Sequence, residues 1–346
     1  MNQPSVNKQA LQVAVVGVGS FGRNHARVYR ELADEGVELA AVVDADLARA
    51  QAVAAEYGGR AFPSLGAMFE GCPAVSAVSV AVPTVAHLEC ARLLMERGID
   101  VLIEKPLAPS VAETDALIAL AKQHGRIAQA GHLERFNPAV RATWALLTRP
   151  MFFEVHRLSV FTPRSLDVDV VLDLMIHDLD IVLKMANSPV RELRAVGLPI
   201  LSGKVDIANV RLEFESGCVA NFTASRISTE RVRKLRFFQP AQYVSLDYSR
   251  REVFSLHVKP TAGGMPEIAP TKPQVSDEEP LHAELRSFIQ AVRARSTPEV
   301  TLEDGRAALA LAIDIQRQMD EHKRRAGLDE VAAALRARIA AQQSHR

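Results

Sequence analysis

Gly17-Val18-Gly19-Ser20-Phe21-Gly22 spaces three glycines as a strand-to-helix turn needs them if a diphosphate is to rest against its backbone N–H groups. The pattern alone is weak, but an apolar run at 13–16 precedes it and a helical pattern follows. Asp44 falls about 20 residues further on, at the end of the next apolar run, where a carboxylate accepts hydrogen bonds from ribose hydroxyls. The same carboxylate repels a 2′-phosphate, so the expected cofactor is NAD rather than NADP. Arg49 is the only nearby cation.

Glu104-Lys105-Pro106 closes another apolar run, at the carboxyl edge of a sheet, where ligands of open α/β folds bind. A lysine there could reach a substrate, although an ordinary strand-to-loop step would read the same way. Further along, Asp173, His177, Asp180 and Lys184 follow at i, i+4, i+7 and i+11, one stripe on an otherwise apolar helix. Histidine can take a hydroxyl proton near neutral pH, and an aspartate one turn earlier could orient its ring. The wet side of an amphipathic helix would show the same stripe. Arg226, Arg231, Arg233, Lys234 and Arg236 could meet a diphosphate or simply be a salt-bridged sheet face. His132, His156 and His177 are too scattered for a metal site, and no H-E-x-x-H or C-x-x-C occurs, so no metal is expected.

These residues need elements to hold them. Apolar runs at 13–16, 39–43, 77–82, 101–103 and 127–130 read as buried parallel strands, alternating with helical segments at 22–33, 47–57, 86–97 and 111–124. Ser110 and Glu113 form a capping box at the head of the last. Beyond residue 149, period-2 stretches at 153–160, 205–214, 218–225, 234–238 and 243–247 predict antiparallel strands with two unlike faces. Helices are expected at 170–186 and 281–294, a long loop at 260–280, and a strongly helical end from 302 to about 343 that stops briefly near Gly327. The fold class is therefore α/β: an N-terminal Rossmann domain with a parallel sheet at 1–131, which part of the C-terminal helical region could complete, and an α+β domain with an open, mainly antiparallel sheet at 132–346.

A chain of 346 residues exceeds the size at which one core stops growing, which agrees with two domains. Equal numbers of basic and acidic side chains, 41 each, give no global electrostatic reason to expect nucleic acid or a membrane as partner. Cys72, Cys90 and Cys218 are odd in number and lie in apolar surroundings, which suits reduced thiols, and no targeting segment is visible. A cytoplasmic protein is expected.

Taken together, the chain resembles the glucose-fructose oxidoreductase, inositol dehydrogenase and rhizopine catabolism (Gfo/Idh/MocA) family. The resemblance rests on Val16 through Gly22 with His25, on Val82-Pro83-Thr84 with His87, on Glu104-Lys105-Pro106-Leu107, and on Asp173 with His177. It implies that Gly17, Gly19, Ser20, Phe21, Gly22, Asp44, Pro83, Thr84, His87, Glu104 and Lys105 line the NAD site. It further implies that Lys105 and His177, with Asp173, act on the reacting hydroxyl, and that copies assemble as a homodimer or homotetramer. Many members carry a glycine pair just before the aspartate, where this chain has Asp169-Val170-Val171-Leu172-Asp173. That run and Gly131 through Pro138 look like the branch acting on nucleotide-linked amino sugars, with Arg135, Asn137 and Arg164 as further substrate contacts. The implied reaction is oxidation at C3 of a UDP-linked N-acetylhexosamine such as UDP-N-acetylglucosamine. A polyol dehydrogenase and a non-catalytic dinucleotide-sensing regulator are the alternatives.

Overall fold

The structure is a computed structural model in which residues 10–162, 168–202, 204–259 and 265–327 are described. The chain divides into two compact units: one holds the described residues up to Phe136 together with Glu278–Leu309, the other Asn137–Asp277 with the described residues from Ala310.

In the first unit the chain runs β1 (Leu11–Val16), α1 (Ser20–Glu31), β2 (Val37–Val43), α2 (Leu47–Tyr57), β3 (Arg60–Phe62), α3 (Leu65–Gly71), β4 (Ala77–Val80), α4 (His87–Met95), β5 (Asp100–Glu104), α5 (Val111–His124) and β6 (Ala128–Gly131). All of its strand pairs are parallel, in the order β3-β2-β1-β4-β5-β6. The direction of strand addition reverses between β1 and β4, which opens a crevice at their carboxyl ends. Strands β1, β4 and β5 are buried on both faces, as their unbroken apolar runs require. The capping box forms: Ser110 Oγ accepts from Glu113 N at 3.2 Å and donates to Glu113 Oε1 at 3.1 Å. Strand β3 and helix α3 are short and carry too little periodicity to show in the sequence.

Helix α8 (Pro280–Ala294) belongs to this unit because its apolar stripe Leu281, Leu285, Phe288, Ile289 and Val292 joins Tyr29, Leu32 and Val42 in one core. Each such side chain contributes about 1.5–3 kcal/mol on burial. The long helix α9 (Leu302–Arg325) begins in the first unit and continues in the second.

The second unit contains α6 (Pro138–Trp144), β7 (Phe152–Leu158), a π-helical turn (Val171–Met175), α7 (Ile176–Ala186), β8 (Val190–Leu198), β9 (Ile207–Phe214), β10 (Val219–Ser225), β11 (Val232–Gln239), β12 (Gln242–Asp247), β13 (Glu252–Lys259) and β14 (Glu267–Thr271). The sheet order is β14-β13-β12-β11-β7-β10-β9-β8, antiparallel except for the parallel pair β7–β10. One face carries Phe153, Val155, Phe222, Leu235 and Phe237 and packs on Val171, Met175, Leu179, Val182, Leu311, Ile315 and Met319. Strand β14 lies inside the stretch expected as a loop: Glu267–Thr271 pairs with β13 at the sheet edge, where Pro270 is tolerated because an edge strand need not donate on both sides. The C-terminal helical pattern beyond residue 327 lies outside the described residues.

Candidate active site

Gly17 ends β1 in a left-handed conformation, φ +83°, and a Cβ there would stand 2.6 Å from Val82 N. At Gly22 a Cβ would fall 1.9 Å from Gly17 O. Both glycines therefore let the turn and α1 close against the residues after β4. Gly19 is different: nothing lies within 4 Å of its would-be Cβ, so this glycine keeps space clear. No side chain caps α1, which leaves its first N–H groups facing that space. A cavity of about 600 Å³ opens there, lined among others by Gly17, Gly19, Asp44, Arg49, Ala81 and Pro83. Asp44 holds the end of β2: its Oδ2 accepts from Val18 N at 2.8 Å and its Oδ1 from Asp46 N at 2.9 Å. Arg49 Nη1 lies 3.4 Å from both oxygens. Open glycine, uncapped helix and rim carboxylate fit a dinucleotide, for which Gly19, Ser20, Phe21 and Asp44 are the residues that would hold it.

Ser20 and Phe21 are exposed at the mouth of this turn, and Thr84 opens a short 3-10 turn after the exposed Pro83. His87, expected as a cofactor contact, is only 1 % exposed. Its Nε2 lies 2.9 Å from Val82 O, and its Nδ1 3.1 and 3.2 Å from the carbonyls of Pro106 and Leu107. The ring is a brace tying the turn after β4 to the turn after β5. Burial pushes its pKa below the usual histidine value, against the pull of those carbonyls.

Lys105 follows β5 half-buried, with a cis bond to Pro106. Behind it the Lys105 N–H donates to Glu104 Oε2 at 3.3 Å, while His25 Nε2 stands 3.1 Å from Glu104 Oε1 with no hydrogen bond between them. Helix α8 adds a residue the sequence reading missed. Glu284 is fully buried, and neither of its oxygens has a hydrogen-bond partner. Burial first, and then the charge of Glu104, push its carboxyl well above the usual carboxylate range. The available signal was one acidic residue inside the apolar stripe of α8.

In the second unit the helix expected from residue 170 opens instead as a π-turn. The Asp169 carboxylate bonds the N–H groups of Val171 and Leu172, at 2.9 and 3.0 Å, and one extra residue is accommodated before α7 starts. Asp173 lies in that turn and His177 in the first turn of α7, both half-buried. The expected polar stripe is not a uniform wet face, because Asp180 is 2 % exposed while Lys184 is exposed. Asp178, beside His177, is locked to Arg157 by two hydrogen bonds of 2.6 and 2.9 Å.

The other expected substrate contacts fare differently. Arg135 is 3 % exposed. Asn137 is turned inward, its Oδ1 capping α6 through Ala139 N at 3.1 Å and its Nδ2 donating to Tyr248 O at 3.2 Å. Arg164 lies outside the described residues. Within the basic set, Arg226 is buried and donates to Val168 O at 2.7 Å, and Arg236 pairs with Glu154 at 2.7 Å, which is the salt-bridged arrangement. Among the described residues no three His, Cys, Asp or Glu side chains are grouped to hold a metal ion, and no helix is long and apolar enough to cross a membrane. Cys72, Cys90 and Cys218 are all free thiols.

Residues 11–132 match the oxidoreductase family with an NAD-binding Rossmann fold, and residues 140–238 match the GFO/IDH/MocA C-terminal domain. A UDP-N-acetylglucosamine 3-dehydrogenase from Acidithiobacillus ferrooxidans is 35% identical over 88% of this chain and 96% of its own length. This chain belongs to the GFO/IDH/MocA oxidoreductase family. It is an NAD-dependent dehydrogenase built on the family's two folds. The solved structure of a UDP-N-acetylglucosamine 3-dehydrogenase from the same organism superposes with a TM-score of 0.83 at 34% identity, covering 90% of this chain and 98% of that one. A scyllo-inositol 2-dehydrogenase (NAD(+)) from Bacillus subtilis is 28% identical over 63% of this chain and 68% of its own length. A probable dehydrogenase from Thermotoga maritima, at 23% identity and a TM-score of 0.76, shares the fold.

Proposed function

We propose that this family member oxidises a secondary hydroxyl of a nucleotide-linked amino sugar, C3 of UDP-N-acetylglucosamine, to the 3-keto sugar. The observation that carries the substrate is the 35% identity to a UDP-N-acetylglucosamine 3-dehydrogenase over 96% of that relative, set against shorter matches to inositol dehydrogenases. Bound NAD would accept the hydride. In this reading Lys105 and His177 handle the hydroxyl: one removes its proton, the other polarises its oxygen, and Asp173 holds the imidazole. Arg164 or the Arg231 to Arg236 set is proposed to meet the diphosphate, since Arg135 is only 3 % exposed. Asp44, at the rim of the glycine turn, selects NAD by accepting bonds from ribose hydroxyls. The chain is further read as a cytoplasmic homodimer or homotetramer.

The roles of Lys105 and His177 are tested by Lys105→Ala and His177→Ala. Each is expected to lower kcat by roughly 10²- to 10⁴-fold while NADH affinity, followed by fluorescence, stays within about twofold. Unchanged kcat in both variants would remove these residues from the chemistry.

A further inference from the structure

The π-turn that carries Asp173 is hydrogen-bonded, through Asp169, to a residue far away in sequence. Asp169 uses all three of its acceptors there: Oδ1 takes the N–H groups of Val171 and Leu172, its main-chain carbonyl takes Asp173 N–H at 3.1 Å, and Oδ2 takes the side-chain amide of Gln316 on α9. Around it, Val170 N donates to Val205 O at 3.0 Å, and Arg226 holds Val168 O. A capping residue alone needs one acceptor, which Ser, Thr or Asn would supply. The second oxygen of Asp169 is what ties this cap to α9.

Gln316 is equally out of place without that bond. The buried face of α9 in this unit is Leu311, Ala312, Ile315 and Met319, and Gln316 adjoins that stripe, partly buried. An amide against an apolar core is unfavourable unless it is hydrogen-bonded, and Asp169 supplies the bond. A π-turn is itself a rare conformation, found mostly at functional sites and maintained by its surroundings.

We propose that Asp169 and Gln316 are positioning residues whose hydrogen bond fixes the π-turn and so sets the placement of Asp173 and His177 toward the substrate hydroxyl. This rests on the reading of His177 and Asp173 given above.

The test reverses the bond. Gln316→Glu sets a carboxylate against the carboxylate of Asp169. Adding Asp169→Asn restores one donor and one acceptor with their places exchanged, since the asparagine oxygen still takes the two turn N–H groups while its amide donates to Glu at 316. With NAD and UDP-N-acetylglucosamine, Gln316→Glu is expected to lower kcat about 10- to 100-fold, as a misplacement of about 1 Å does, with NADH affinity unchanged. The double variant should return to within about threefold of the parent. A second readout needs no substrate: the His177 ring resonance, assigned by its loss in His177→Asn, should shift in Gln316→Glu and return in the double variant. If Gln316→Glu does not fold, Gln316→Leu removes the donor without adding charge and should lower kcat several-fold. A folded Gln316→Glu with parental kcat and an unmoved His177 resonance overturns the proposal, as does a double variant no better than the single one. Full activity in His177→Asn would overturn the role of His177 and this inference with it, whereas a dead His177→Asn beside a fully active Gln316→Glu would leave that role standing and reject the clamp alone.

Discussion

Asp178 meets Arg157 edge-on: Nε donates to Oδ2 at 2.6 Å and Nη2 to Oδ1 at 2.9 Å, with Asp178 1 % and Arg157 2 % exposed. The guanidinium also lies over the Tyr248 ring, 4.9 Å from its centroid. The pair joins strand β7 to helix α7 one residue after His177. Asp178→Ala removes both of these charge-assisted hydrogen bonds from a buried guanidinium and should cost about 1.5–3 kcal/mol in urea unfolding. Replacing both, with Arg157→Met and Asp178→Leu, should recover most of that loss. A single substitution costing under about 1 kcal/mol would mean that water reaches the pair.

The two kinds of glycine in the first turn should separate folding from binding. Gly22→Ala places a Cβ against a backbone oxygen 1.9 Å away, so it should lower the thermal midpoint and abolish NAD binding together. Gly19→Ala meets nothing within 4 Å in the protein and should leave the midpoint unchanged while weakening NAD binding at least tenfold. Equal NAD affinity in Gly19→Ala and the parent would place the diphosphate elsewhere.

Glu284 should make stability fall as pH rises. Its folded pKa is raised, so above the ordinary value of 4.5 the unfolded chain releases a proton that the folded chain keeps, and the native state loses ground until the folded pKa is reached. Glu284→Gln has no such proton. Its stability advantage should therefore be small near pH 5 and grow toward pH 8, by at most about 1.4 kcal/mol per pH unit, in denaturant titrations at each pH. A pH-independent difference between the two proteins would contradict a raised pKa at Glu284.

Much of the first unit was legible because its signals are local. The runs at 47–57 and 111–124 became α2 and α5 at the expected residues, and Ser110 capped α5 as its spacing with Glu113 implied. What stayed hidden depends on partners distant in sequence. Nothing near Asp169 announces Gln316, 147 residues on, and nothing near Asp178 announces Arg157 across the sheet. The resemblance carried by Val82-Pro83-Thr84 with His87 implies a ligand contact at His87. Only the fold reveals that the carbonyls of Val82, Pro106 and Leu107 occupy its ring. Asn137 misleads similarly, as a polar residue beside Arg135 whose side chain is spent on a helix cap and on Tyr248.

The central claim is hydride transfer from C3 of a UDP-linked N-acetylhexosamine to NAD. Its most direct test follows NADH absorbance with NAD and UDP-N-acetylglucosamine, its galacto epimer, the corresponding uronic acid, myo-inositol or glucose. An aminotransferase and glutamate are included to draw off an unfavourable keto product. NADH should form with UDP-N-acetylglucosamine at a kcat/KM well above that for either free sugar or polyol, and the product should carry a carbonyl at C3. Turnover of inositol or glucose with every UDP-sugar inert would contradict the account and make the protein a polyol or simple sugar dehydrogenase.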